Sequence, residues 1–168
     1  GSVDAYVGPV PDVNIPPDLK VEKLFQPSRV VLARKGHPLA GAKSLAELMD
    51  ANWLTTSITD KAELEFGAIF ESHGLPPPRL SMRVGSGLTL ITALASSDAI
   101  VISSRTWADL PMFRDLLTVI EVEQILSAPA IALIYRAAVP PTPAAEYFCD
   151  MTRRAAVPML KRYPPPVQ

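Results

Sequence analysis

The chain has 168 residues, of which 48% are hydrophobic and 20% are charged, so it can build the core of one ordinary domain or of two small lobes. Its net charge of −1 and its pI of about 6.1 argue against nucleic-acid binding by this chain alone, because such binding needs a concentrated basic surface. The single cysteine, Cys149, excludes a disulfide within the chain, and no run of 18 apolar residues predicts a membrane-spanning helix.

Apolar strand patterns alternate with amphipathic helix patterns in the first half of the chain. Ser44 and Glu47 form a capping-box pattern that opens a short helix, and Gly74 is placed to end a longer helix over residues 60–72. Pro27 interrupts an extended stretch, which could therefore cross between two lobes. Strands are predicted over residues 3–8, 19–24, 29–33 and 52–56.

The second half of the chain continues this alternation. Thr142 followed by Pro143 predicts a helix start, and Pro158 is expected to end or kink that helix. Residues 107–117 are ambiguous because Pro111 interrupts them. Further elements are predicted as strands over residues 80–84, 100–102, 117–122 and 130–135, and as a helix over residues 88–95. The alternation predicts α/β lobes with largely parallel sheets that helices cover.

Taken in this order, the segments resemble the effector-binding domain of LysR-type transcriptional regulators. The resemblance covers nearly the whole chain, and it is carried by GSVDAYVGP at residues 1–9, HPLA at 37–40, SLAEL at 44–48 running to Trp53, HGLP at 73–76, and YR at 135–136 running to PAA at 143–145. It implies a two-lobed, periplasmic-binding-protein-like α/β fold. In that fold two segments cross between the lobes, and a small-molecule cleft lies between them.

The same resemblance implies how the chain is divided. Residues 25–126 would form the distal lobe with crossing segments at both ends, and residues 1–24 with 127–168 would form part of the proximal lobe. A complete family member carries a winged helix-turn-helix, a linker helix and the opening part of the proximal lobe before the position of Gly1. We therefore expect an N-terminally truncated chain with an incomplete proximal lobe.

A hydroxyl-rich loop links the strand at residues 52–56 to the helix that follows it. In open α/β sheets ligands bind at the carboxyl ends of strands, and free backbone N–H groups at a helix start favour a carboxylate or another anion. The resemblance also implies that this loop lies at the cleft, whereas the alternative is that its hydroxyls only cap the helix. We predict that the ligand contacts Thr55, Thr56, Ser57 and Thr59.

Five further residues, at three places in the chain, complete the predicted ligand site. Ser86 and Gly87 follow another strand, but their loop matches neither the dinucleotide and phosphate-loop motifs nor the hydrolase elbow. A tight turn capped by Ser86 is the equal alternative there. Ser103 follows a buried-type strand and could line the same cleft, while Gly8 and Pro9 end the first strand and could face the cleft from the proximal lobe.

No other group of residues suggests catalysis, a cofactor or a metal. His37 and His73 lie far apart in predicted turns without a second ligand type at matching spacing, and a packed thiol is expected for Cys149. Structural roles are expected for the remaining candidates: a solvated helix side for Glu63, Glu65 and Glu71, helix-end interactions for Arg153, Arg154, Lys161 and Arg162, and core or lobe-boundary packing for Trp53 and Trp107.

The chain is therefore expected to be a small-molecule effector-sensing domain of a LysR-type regulator, and not an enzyme, that binds a small organic inducer for which a carboxylate is one candidate. The resemblance implies a cytoplasmic protein without membrane contact, DNA binding only through a missing N-terminal helix-turn-helix, and a full-length homodimer or homotetramer. Two alternatives stay open. A solute-binding protein of the same fold would carry an export signal, and a small α/β enzyme would need a convergent nucleophile, base and oxyanion donors.

Overall fold

A computed structural model of the chain describes residues 3–10, 15–57, 61–126, 128–138 and 140–162, except for the side chains of residues 161 and 162. The chain divides into two compact units. Gly1–Ser28 and Ala128–Gln168 form the terminal unit, and Arg29–Ser127 form the central unit.

The described residues contain eight strands and four α-helices. The strands are β1 (Ala5–Pro9), β2 (Leu19–Phe25), β3 (Arg29–Arg34), β4 (Asn52–Thr55), β5 (Leu80–Arg83), β6 (Ala99–Ser104), β7 (Leu117–Ile120) and β8 (Ile131–Arg136). The helices are α1 (Ala62–Glu71), α2 (Gly87–Ser96), α3 (Thr106–Asp109) and α4 (Pro143–Arg162), and a single 3₁₀ turn spans Ala46–Leu48. All the predicted strands are therefore present, with small differences at their ends.

The terminal unit holds a three-stranded sheet in the order β1-β8-β2, in which β8 runs antiparallel to both neighbours. The prediction of largely parallel sheets is wrong for this unit. Neighbouring strands of this sheet are not successive in the chain, so no short strand–helix–strand crossover sets a parallel direction. Its core joins Leu24 and Leu133 of the sheet to Cys149 and Ala156 of α4, which confirms the packed thiol.

Helix α4 begins where its sequence predicts. Thr142 Oγ1 accepts the N–H of Ala145 at 3.2 Å and so caps the first turn. The helix continues through Pro158 to Arg162, so the proline does not end it. Pro158 removes one backbone hydrogen bond, to the carbonyl of Arg154, close to the end of a helix whose earlier turns are packed on the sheet.

A charged contact fixes α4 to β2. Arg153 Nε lies 3.0 and 3.1 Å from the two carboxylate oxygens of Glu22, and its guanidinium also donates to Asp150 at 2.8 Å. The hydrogen bonds to Glu22 are the main cause that raises the pKa of Arg153 above its ordinary value. The expected helix-end role is therefore wrong for Arg153, which instead joins the helix to a strand distant in sequence.

The central unit holds a five-stranded sheet in the order β5-β4-β6-β3-β7. Strands β5, β4 and β6 are parallel, whereas β3 runs antiparallel to both β6 and β7. Successive residues of β3 face opposite sides, because Val31 and Ala33 pack in the cluster that contains α1 while Val30 and Leu32 pack in the cluster that contains α2. These two sides of the sheet are named the α1 face and the α2 face.

Aromatic packing dominates the α1 face. Trp53 is fully buried, and its ring centroid lies 5.2 Å from that of Phe70 and 5.5 Å from that of Phe66. Its indole Nε1 donates to the carbonyl of Leu48 at 2.9 Å, so the one polar atom of the ring is satisfied. The prediction of core packing is confirmed for Trp53.

Two of the predicted helix signals have different outcomes. Gly74 ends α1 as predicted, with a φ of 73° that favours glycine. Helix α1 begins at Ala62, and residue 60, where the helix was predicted to begin, lies outside the described residues.

Turns at the far end of β3 and at the start of β6 are joined by polar contacts. Buried His37 accepts the N–H of Leu39 through Nδ1 at 3.0 Å, and its Nε2 lies 3.1 Å from the carbonyl of Asp98. These partners assign the hydrogen to Nε2. Arg34 also pairs with the Asp98 carboxylate at 2.7 Å, so both side chains link the two turns.

The capping-box residues after β3 make a side-chain contact instead of a full helix. Glu47 Oε1 accepts the Ser44 hydroxyl at 2.9 Å and the Lys43 N–H at 3.2 Å, but only the 3₁₀ turn follows. The hydrogen bond from Ser44 is the main cause that lowers the pKa of Glu47, followed by the bond from Lys43. The predicted box therefore stabilises a turn.

Phe70→Ala tests the core on the α1 face. Phe70 is fully buried against two aromatic rings, so truncation should lower the free energy of unfolding by about 3–5 kcal/mol through lost burial and a cavity. Leu64→Ala on the same helix removes a side chain that is 74% exposed and should change this free energy by less than about 0.5 kcal/mol. Urea denaturation followed by tryptophan fluorescence measures both variants. Equal losses would contradict the assignment of this core.

Glu47→Gln tests the side-chain contact of the 3₁₀ turn. Because the pKa of Glu47 is below its ordinary value of 4.5, its contribution to stability is present above pH 4.5 and is lost as the pH falls through the lower folded-state pKa. The variant should be less stable than wild type near neutral pH, and the difference should shrink in acid. Urea denaturation across that pH range measures it, with Asp50→Asn, an exposed carboxylate in the same loop, as control. A pH-independent difference would contradict the contact.

Candidate functional site

The carboxyl ends of β4, β5 and β6 lie along one edge of the central sheet because these strands are parallel. We name this the carboxyl edge. Strand β3 begins there because it is antiparallel to β6, and its first residue, Arg29, pairs with Ser104, the last residue of β6. Ligands of open α/β sheets bind outside such strand ends, so the loops at this edge form the candidate site.

The loop after β4 presents hydroxyl groups at the carboxyl edge. Thr55 Oγ1 accepts the N–H of Ser57 at 3.2 Å, and the Ser57 hydroxyl donates to Glu65 Oε2 at 2.9 Å. The Thr56 side chain is exposed and has no hydrogen-bond partner within the described part of the chain. Predicted site residue Thr59 lies outside that part. Glu65 is exposed as expected, but it also holds the loop to α1.

Helix α2 starts at the same edge and has no acidic residue in its first turn. Ser86 is its N-cap residue with an extended backbone, yet its hydroxyl makes no capping hydrogen bond. Ser86 therefore takes the N-cap position that the alternative predicted, but without a capping side chain. The first N–H groups of α2 have no intrahelical partners. Trp107 lies against Gly87, where an added Cβ would stand 2.9 Å from Trp107 Cη2. The glycine thus lets the indole close over the helix start.

The end of β6 supplies hydroxyls on both faces of the sheet. Ser103 shares the α2 face with Val101, and its half-buried hydroxyl has no partner among the residues that can be described. Ser104 lies on the α1 face, where its hydroxyl donates to Thr106 Oγ1 at 3.0 Å and accepts the N–H of Thr106 at 3.3 Å. The structure thus brings Ser103 to the same edge as Thr55 and Ser86.

Arg29 also lies at the carboxyl edge, a position that was not predicted from the sequence. It is half-buried at the carboxyl edge, and strand alternation places it on the α1 face with Val31. Burial lowers the pKa of Arg29 below its ordinary value, and the negative charge of Glu65 acts in the opposite direction. An arginine directly before the apolar run of β3 was the available signal, but the sequence did not show which edge of the sheet it would reach.

Gly8 and Pro9 belong to the terminal unit, where they end β1 opposite Ala132 and Ile131 of β8. The Tyr6 ring lies over Gly8, and an added Cβ at that position would collide with it. This cover accounts for the glycine without a ligand. Participation of Gly8 and Pro9 in ligand binding stays a prediction.

Two open grooves of about 440 and 560 Å³ are lined neither by the loop after β4 nor by the start of α2. They share residues 77–80, and one follows α1 while the other follows the starts of β4 and β5. Neither contains the hydroxyls of the predicted site. The carboxyl edge is therefore selected as the candidate site of the central unit by its strand ends and its hydroxyl groups more than by the depth of a pocket.

Metal-binding clusters and membrane-spanning helices are both absent from the described residues. They contain no group of three or more His, Cys, Asp or Glu side chains that could hold a metal ion. No helix among them is long and apolar enough to cross a membrane.

Comparison with known proteins identifies a family that matches this chain. The model of the LysR substrate binding domain matches residues 1–157. The HTH-type transcriptional regulator GbpR of Azospirillum brasilense is 24% identical over 111 residues, a stretch that covers 64% of this chain and 32% of the relative. The match thus spans about a third of the length of this relative.

Solved structures share the fold. The CcmR regulatory domain of Synechocystis PCC6803 in complex with 2-PG has a TM-score of 0.75 at 21% identity, with 94% of this chain and 76% of that chain covered. The BenM effector binding domain with its effector benzoate has a TM-score of 0.68 at 20% identity, with 98% and 73% covered. The predicted periplasmic-binding-protein-like α/β fold is confirmed.

Gly87→Ala tests the contact between the α2 start and Trp107. The added methyl group should displace the indole and lower the free energy of unfolding by about 1–3 kcal/mol, because close packing leaves no room for it. Two-dimensional NMR of the indole N–H signals reports the displacement. Gly41→Ala, where nothing lies within 4 Å of the added Cβ, is the matched control. An unmoved Trp107 signal in Gly87→Ala would show that the indole does not cover this helix start.

Proposed function

We propose, because this chain belongs to the LysR substrate-binding domain family, that it senses a small organic effector at the carboxyl edge of its central unit. The observation that carries this proposal is the set of hydroxyls at that edge. Three of them, on Thr56, Ser86 and Ser103, have no partner within the described part of the chain. Groups that neither cap a helix nor join a network are available to a ligand.

Chemistry at this edge favours an anionic or strongly hydrogen-bonding effector. The free N–H groups at the start of α2 carry a partial positive charge that no acidic side chain of the first turn offsets. The similar BenM domain holds benzoate, which is a carboxylate, and this supports the same class of ligand here. We therefore favour small organic acids, as the sequence analysis suggested.

Binding, and not turnover, is the proposed activity of this edge. His37 engages both ring nitrogens in the turn at the opposite end of β3, and His73 lies at the C-terminal end of α1. Neither histidine is therefore placed by its strand or helix to serve as a base for Ser57 or Ser103. The hydroxyls of the edge act as hydrogen-bonding groups in this proposal.

Finer proposals concern the full-length protein. We propose that a helix-turn-helix domain outside this chain binds DNA, that the protein is a cytoplasmic homodimer or homotetramer, and that residues 25–126 correspond to the distal lobe. Effector binding would then shift the populations of two arrangements that differ in effector affinity. Binding of the effector and of DNA would be coupled in both directions.

A thermal-shift screen of small carboxylates and aromatic acids, run on this chain and on the full-length protein, tests the proposed function. A ligand that binds only the folded state raises the melting temperature, by an amount that grows with its concentration relative to Kd. Thr56→Ala or Ser103→Ala should weaken binding roughly fivefold to tenfold for each hydrogen bond lost.

Ser81→Ala is the matched control, because it removes an exposed serine hydroxyl near the start of β5, away from the carboxyl edge. A hit that both edge variants retain at full strength would place the site elsewhere. Turnover of a compound by the full-length protein would replace the sensing proposal with an enzymatic one.

A further inference from the structure

Arg29 is held rigidly at the carboxyl edge by its backbone. It pairs with Ser104 of β6 on one side and with Leu126 on the other. Val31, two residues further along β3, is fully buried. The backbone from which the guanidinium extends is thus fixed before any ligand arrives, which reduces the entropy lost on binding.

The guanidinium of Arg29 is a cation that has lost water without gaining an ion pair. Arg34 and Arg83, by contrast, each have a carboxylate oxygen within 4.0 Å. No described carboxylate lies within that distance of Arg29. Burial is the main cause that lowers its pKa. A half-buried cation in this state gains free energy when an anion supplies the missing partner.

Glu65 is the nearby negative charge, but it forms no ion pair with Arg29. Glu65 Oε2 accepts the Ser57 hydroxyl at 2.9 Å, and Glu65 acts on Arg29 only through its electric field. Arg29 supplies one positive charge, so a second negative charge on a ligand would stay uncompensated and would be repelled by Glu65. An anion with one charge, such as a carboxylate, therefore fits better than a phosphate dianion.

We propose that Arg29 anchors the carboxylate of a monoanionic effector, with the planar guanidinium donating two parallel hydrogen bonds to it. This inference deepens the proposed function and rests on it. Arg29, Ser57 and Ser104 would then form the charged end of the ligand site on the α1 face, while Ser86 and Ser103 would contact the remainder of the molecule. Lysine at position 29 would keep the charge but not the two-pronged geometry.

NMR of the arginine Nε–Hε signals in the 168-residue chain tests this anchor without knowledge of the effector. Sodium acetate and sodium benzoate are titrated at constant ionic strength against sodium chloride, and the neutral acetamide and benzamide serve as probes of the same shape. The Arg29 signal should shift and saturate with each carboxylate, and affinity for each amide should be at least roughly tenfold weaker. Inorganic phosphate should bind Arg29 more weakly than acetate.

Variants locate the effect. Arg29→Lys should weaken carboxylate binding roughly tenfold, as followed by the backbone N–H signals of Ser57 and Ser104. Arg114→Met removes one exposed positive charge near the opposite end of the central sheet and should leave binding unchanged. Circular dichroism checks that both variants fold, and the wild-type titration does not depend on them.

Each remaining outcome would overturn the anchor. No saturable shift of Arg29 with acetate or benzoate excludes it, and so does an equal response to the amides. Stronger binding of phosphate would reject the monocarboxylate class. A compound that raises the melting temperature through Thr56 and Ser103 while the Arg29 signal stays unmoved would reject the anchor and leave the proposed sensing function standing.

Discussion

The antiparallel pairing of β3 with β6 determines what the carboxyl edge contains. Three parallel strands by themselves would present only their own ends, whereas β3 enters in the opposite direction and adds Arg29 beside Ser104. A slip of one residue would turn Arg29 to the α2 face and exchange the two faces of Val31 and Leu32. Both of these side chains are fully buried, and the burial of each contributes roughly 1.5–3 kcal/mol to the free energy of unfolding. The cores on the two faces therefore stabilise this register.

The same pairing explains why the edge can be polar. Apolar packing above and below the sheet is complete before the strands end, with Trp53 and Ile100 on one face and Leu54 and Val101 on the other. Hydroxyl and charged side chains beyond those positions contribute little to the packing of the core. They can therefore be exposed, half-buried or left without a partner at small cost to folding, which is the usual condition of residues that bind ligands.

Elements with strong local signals could be predicted from the sequence, and contacts between distant segments could not. Thr142 with Pro143 marks the start of a helix, and Gly74 marks the end of another, in each case through residues that are close in sequence. Both predictions are confirmed. Arg153 was misassigned because its partner, Glu22, is 131 residues away in the sequence. The antiparallel direction of the terminal sheet was not predicted, because β8 is far in sequence from both β1 and β2 and no local pattern shows that they pair. At the site, the hydroxyl loops follow from strand ends, but Arg29 became visible only with the direction of β3.

The contacts of His37 and Arg34 with Asp98 bear on how the central sheet can respond to a bound molecule. They tie the turn after β3 to the turn before β6 at the end farthest from Arg29, so these adjacent strands are stiffened where no ligand group is proposed. The same two strands are paired again at their opposite end, where Arg29 lies opposite Ser104. A molecule that binds at the carboxyl edge would therefore meet two strands that are already fixed relative to each other at both ends.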